Sequence, residues 1–157
     1  MYDSRIAAYK EIYRIRSGNS RESLVRLGRF TPEDGYSASV GKLLEEKEKA
    51  NGLSLPDNDS SGLVGCYRAI SEQGLQIPGD ISVVGYNDIS VANYLVPSLT
   101  TVRLHMELLG EEAVRILEEH IASGREIGLK IIVPARLIVR DSAGRVNKKC
   151  LVCSIQK

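Results

Sequence analysis

Residues 81–86, Ile-Ser-Val-Val-Gly-Tyr, constrain this chain more than any other stretch. A strand with one wet face alternates apolar and polar side chains. A nearly continuous apolar run instead needs cover on both faces, the situation of a parallel strand between two layers of helices. The run therefore predicts a central strand of an α/β sheet. It stops at Asn87-Asp88, and in such sheets small molecules bind outside the carboxyl ends of the strands. Two readings of that polar pair stand side by side: an amide and a carboxylate facing the hydroxyls of a ligand, or caps on the next short helix.

The flanking sequence alternates helix and strand as that sheet requires. Ile6, Tyr9, Tyr13 and Arg16 at helical spacing predict a helix over residues 5–16, and residues 23–30 pattern as a short strand ending at Phe30. Thr31 followed by Pro32, Glu33 and Asp34 is a helix start, with a hydroxyl cap, a proline at the first position and carboxylates at the positive end of the dipole. That helix is expected to reach about residue 50. Another begins at Ser60 or Ser61 and stops at Gly74, and Pro78-Gly79-Asp80 turns the chain into the apolar strand. After an irregular or short helical piece over residues 89–95, a β-rich "LTTV" leads to a helix from about Met106 to Gly124. Its stripe is Leu109, Ala113, Ile116, Leu117 and Ile121. Residues 129–142 supply strand material broken by Pro134, and Arg125, past the glycine stop, reads as solvated.

Composition narrows the function classes. With 157 residues, 43% of them hydrophobic, the chain can build a core. Twenty-one basic against 20 acidic residues leave no global charge to drive nucleic-acid or membrane binding. No apolar run is long enough to span a bilayer, and the charged N-terminus is unlike a signal peptide, so the expected location is the cytoplasm, away from membranes. Three cysteines make no disulfide framework. Cys150-x-x-Cys153 lacks a second ligand pair, and His105 and His120 read as helix-surface residues, so neither a metal nor a cofactor is expected.

The segment "IPGDISVVGYNDISVANYLVPSLTTVRLHMELLGEEAVRIL", residues 77–117, resembles LacI/GalR-type transcriptional regulators. Four further blocks resemble the family in its own order: "DSRIAAYKEIY", "GRFTPEDGYSAS", "GCYRAISEQGLQIP" and the closing "PARLIVRDS". Within the family the likeness is nearest to repressors of β-galactosidase genes. The resemblance implies an α/β fold like a periplasmic sugar-binding protein, a C-terminal lobe with an incomplete N-terminal lobe. Residues 1–142 would form this partial effector domain, with about residues 103–124 as the N-lobe helix, and residues 143–157 an unmatched tail. It implies that the helix-turn-helix lies outside this chain, that operator DNA is bound only through that missing domain, and that the full-length protein is a homodimer.

The resemblance also implies site residues. Arg5 matches the arginine that makes a forked contact to the effector, for which a planar guanidinium is suited. Phe30 matches the aromatic that stacks on it. Asn87 matches the polar residue after the buried strand, where many members carry Asp. One block departs: Asn58-Asp59 resembles a second polar pair, but one residue too many separates it from Gly65, and Pro56 weakens any strand before it. The implied partner is a small sugar, a galactoside among the candidates.

Three functions compete: the sugar-sensing lobe of a regulator, with no chemistry of its own; a non-functional truncated remnant; and a small α/β enzyme. Against the last, the sequence carries no phosphate-binding glycine loop, no G-x-S-x-G elbow, no H-E-x-x-H and no convincing acid pair. No catalytic residue is assigned.

Overall fold

The computed structural model describes residues 4–17, 31–39, 52–54 and 61–145. The expected strand over residues 23–30 and the continuation of the Thr31 helix toward residue 50 lie outside them. In chain order the elements are α1 (Ser4–Ser17), α2 (Pro32–Ala38), β1 (Gly52–Ser54), α3 (Ser61–Glu72), β2 (Ser82–Tyr86), a 3-10 turn (Ser90–Asn93), β3 (Thr100–Arg103), α4 (Met106–Ser123) and β4 (Arg136–Ile138).

The described strands form one sheet in the order β1-β2-β3-β4. Strands β1, β2 and β3 run parallel, with Leu53 opposite Val83 and Val84 opposite Thr100. The "ISVVGY" strand is thus interior, as its composition requires. Its cover is uneven: Val83 and Gly85 are buried, whereas Val84 and Tyr86 are only partly so. The last strand, β4, joins antiparallel to β3, with Thr101 opposite Ile138, and one expectation needs correction. Residues 129–132 form no strand, and their apolar Leu129, Ile131 and Ile132 lie exposed; with Pro134 two residues on, only the short stretch after it joins the ladder. The segment before Pro56, expected to be weak, keeps three residues of strand as β1.

The core lies between α3 and the sheet. Leu63, Cys66 and Ile70 on one face of α3 meet Ile81 and Val83 of the β2 segment, together with Ala92 and Leu99, all essentially inaccessible to solvent. Leu75, Ile77, Tyr67 and Leu95 close its rim. Each such aliphatic side chain contributes about 1.5–3 kcal/mol. Burial pushes the Cys66 thiol up to about 11, so it is a packing residue.

Local signals act as read. The Thr31 hydroxyl accepts the Asp34 N–H at 3.2 Å, with Pro32 at the first helical position. Helix α3 ends where Gly74 takes a left-handed φ of 67°, its N–H reaching the Ser71 carbonyl while Leu75 N–H reaches Ile70. Gly124 ends α4 in the same conformation. Helices α2 and α3 touch backbone to backbone: a Cβ on Gly65 would lie 2.0 Å from the Pro32 carbonyl oxygen, and one on Gly35 2.0 Å from that of Gly62. The Tyr36 hydroxyl donates to Glu72, which Arg68 also holds at 2.8 Å.

Helix α4 is different, since none of its residues is buried. Its stripe is exposed at Leu109, Leu117 and Ile121, and Ile116 is only half-buried. Arg125 is not solvated as expected: its side chain is 22% exposed and pairs with Glu119 at 2.9 Å.

Candidate functional site

The carboxyl end of β2 is built by two consecutive left-handed residues, Asn87 at φ 72° and Asp88 at φ 49°. Asn and Asp are the non-glycine types that enter this region most readily, which explains why the strand breaks on this pair. The Asp88 N–H donates to the Thr101 hydroxyl at 3.3 Å, folding the turn back over β3.

The capping reading of the pair is overturned. Ile89 occupies the N-cap position of the 3-10 turn, and no side chain caps it. The Asp88 carboxylate is instead 3% exposed and held by two arginines. Arg103 at the end of β3 directs Nε and Nη2 to Oδ2, each at 2.6 Å, and Arg140 directs Nη1 to Oδ1 at 2.7 Å. Arg140 is itself largely buried; its Nη1 donates to the Leu99 carbonyl at 2.7 Å and meets Asp88 Oδ1 as an ion pair. Burial opposes ionisation of Asp88, but the hydrogen bonds and charges of Arg140 and Arg103 outweigh it and hold the carboxyl below its ordinary value.

The closing Arg-Asp-Ser of the sequence fastens the opposite ends of these strands. The buried Ser142 hydroxyl donates to the Val83 carbonyl at 2.6 Å and accepts the Thr100 N–H at 2.7 Å. Its own backbone bonds Ser98 and Val83. The Thr100 hydroxyl donates to the Arg140 carbonyl and accepts the Arg140 N–H, and Ser98 donates to Asp141. Tyr67 donates to the Pro97 carbonyl at 3.0 Å, and burial pushes its hydroxyl up to about 12.

Of the five residues assigned to the site, the structure places Asn87 in full, half-buried at the carboxyl end of β2. Arg5 lies in α1, its side chain outside what is described, and Phe30, Asn58 and Asp59 fall outside the described residues. Asp88 was read with Asn87 as a polar pair at the strand end but not assigned to the site, and Arg103 and Arg140 were not singled out from sequence. The available signal was a carboxylate at a strand end with arginines ending two later strand segments, a pattern that only the register of β3 and β4 turns into a cluster. Among the described residues, no group of three or more His, Cys, Asp or Glu is placed to hold a metal ion, and no helix is long and apolar enough to cross a membrane.

This sequence and fold have relatives. A family model described as a periplasmic binding protein-like domain matches residues 2–143. The lactose operon repressor of Rhizobium radiobacter is 42% identical over 111 residues, covering 71% of this chain and 95% of that protein. The HTH-type transcriptional repressor PurR of Erwinia tasmaniensis is 38% identical over 122 residues, 78% of this chain but 35% of that protein. Among solved structures, a complex of the transcriptional regulator CelR with cellobiose superposes with a TM-score of 0.76 at 26% identity, over 88% of this chain and 42% of that one. The chain thus spans well under half the length of PurR and of the CelR chain.

Proposed function

Because the chain belongs to the periplasmic-binding-protein-like family of LacI-type transcriptional regulators, we propose that it is the sugar-sensing part of a regulator's effector domain. The observation that carries this reading is the left-handed turn after the interior strand β2, which sets Asn87 at the carboxyl edge of the sheet while Asp88 is engaged by two arginines. An amide there both donates and accepts, as neighbouring hydroxyls of a sugar demand.

The likeness to a regulator solved with cellobiose and to a lactose operon repressor supports a sugar effector, with a galactoside first among the compounds to test. Arg5 would fork onto its hydroxyls, Phe30 would stack on its apolar face, and Asn58 and Asp59 would complete the edge. Residues 1–142 would form this effector unit and residues 143–157 a tail outside it. In the whole protein, a cytoplasmic homodimer, the sugar would act by binding two lobe arrangements unequally and so shift operator affinity of a DNA-binding domain. No catalysis is assigned: a carboxylate held ionised by two guanidiniums is a poor proton donor.

Thermal shift and calorimetry with galactose, lactose and cellobiose test this reading. At least one sugar should raise the melting temperature through mass action. Asn87→Ala should weaken that sugar about tenfold, corresponding to about 1.4 kcal/mol. Absence of any shift at millimolar sugar, or equal affinity in Asn87→Ala, would overturn it.

A further inference from the structure

The buried carboxylate beside Asn87 joins the three places that matter to a sensor. Asp88 belongs to the turn at the carboxyl end of β2. Arg103 is the last residue of β3, where the chain leaves the sheet for α4, and Arg140 follows β4, the strand by which it returns. Both guanidiniums end on one carboxylate, Oδ2 for Arg103 and Oδ1 for Arg140. Nothing in α4 itself is buried to fix its direction, so the joints at its two ends carry that task.

We propose that Asp88 is a positioning residue: it clamps the outgoing and returning strands of the α4 arm to the Asn87 turn, so that movement of the turn is passed to the arm. The extension to signalling rests on the sugar-sensing reading, but the clamp itself does not. A ligand that drew Asn87 outward would drag Asp88 and loosen or re-aim Arg103, the more exposed of its two partners, at 47% against 13% for Arg140. The groups facing Asp88 are Arg103 from β3, Arg140 from beyond β4 and the Thr101 hydroxyl on its N–H.

Its test uses the full chain without ligand, so a failure to bind sugar leaves the result interpretable. Spin labels are attached to Gln73→Cys after α3 and Glu118→Cys on α4, both exposed positions. Cys150 and Cys153 are replaced by Ser, and Cys66 is left in place because its buried thiol is slow to react. Double electron-electron resonance then reads the distribution of distances between sheet and arm. The parent should give one narrow distribution, and Asp88→Asn and Arg103→Met should each widen it at least about twofold. Arg103→Lys should fall between, and Arg136→Met, an exposed neighbour at the start of β4, should match the parent. Acidification to well below the ordinary carboxylate value of about 4, through the lower folded value of Asp88, should widen the parent but leave Asp88→Asn unchanged, a response that simple loss of packing does not give. A parent as broad as Asp88→Asn, a parent indifferent to acid, or unchanged widths in both clamp variants would each overturn the proposal. Arg103→Met decides the matter if Asp88→Asn does not fold.

Discussion

Helices α3 and α4 are both amphipathic, both end on a left-handed glycine, and meet opposite fates. One face of α3 is sealed against β2 and the other elements of the core, with α2 so close that two glycines are needed at the crossing. Helix α4 carries an apolar stripe of similar quality with no buried residue. The contrast teaches that an amphipathic pattern specifies a demand for cover, and that what supplies the cover is a separate question. Periodicity alone gives the same reading for both.

The sharpest way to break the comparison is the same substitution in both helices. Gly65→Ala forces a Cβ into the Pro32 carbonyl and must push α2 away; it should cost at least about 2 kcal/mol despite the better helix propensity of alanine. Gly110→Ala in α4 meets nothing within 4 Å and should stabilise by about 0.5–1 kcal/mol. Urea melts of the two variants check this, and a loss for Gly110→Ala would mean that α4 has a close neighbour.

Next in size is the acid response of the clamp, which ties the two regions together. Since the folded carboxyl of Asp88 lies below its ordinary value, its contribution is full above the unfolded value of about 4 and is lost as the pH falls through the lower folded one. Asp88→Ala leaves two arginines facing a void and should cost about 3 kcal/mol at neutral pH. The deficit should shrink toward pH 2 to 3 in denaturation curves measured across that range. A deficit independent of pH would mean that shape, and not charge, holds the turn.

Smallest in effect on stability is Leu117→Glu. At 58% exposed, Leu117 adds little to the fold of one chain, so the melt should move by less than about 0.5 kcal/mol. Its effect belongs to association, because a contiguous apolar stripe in water favours self-contact. Sedimentation should show the parent associating at micromolar concentration and the variant less so. A stable parent monomer unaffected by Leu117→Glu would mean that the stripe is covered from within the chain.

Much of the fold was legible because it is local. The Thr31 cap, the Gly74 and Gly124 stops and the interior strand at residues 81–86 each follow from neighbours in sequence. The direction of β4 was not, since "RLI" has the same residues whichever way it runs, and Pro134 marks only where it begins. The site divides likewise: Asn87 could be placed from the strand end, whereas the role of Asp88 depends on Arg103 fifteen residues on and on Arg140 further still, brought together only by strand register. The glycine crossing of α2 and α3 was equally silent, because a glycine required by a close approach reads like any other in a single sequence.

Ser142 gives this architecture an order in time. Parallel neighbours β2 and β3 are bridged at their starts by a hydroxyl that reaches Val83 across 59 residues and Thr100 across 42. The α3 core can collapse from contacts close in sequence, but the bridge waits until the chain has travelled out along α4 and back. Loops of that length make closure slow. An emerging chain therefore holds an unfinished sheet while residues 104–142 are added, with the outer edge of β3 open to other strands until β4 and Ser142 arrive.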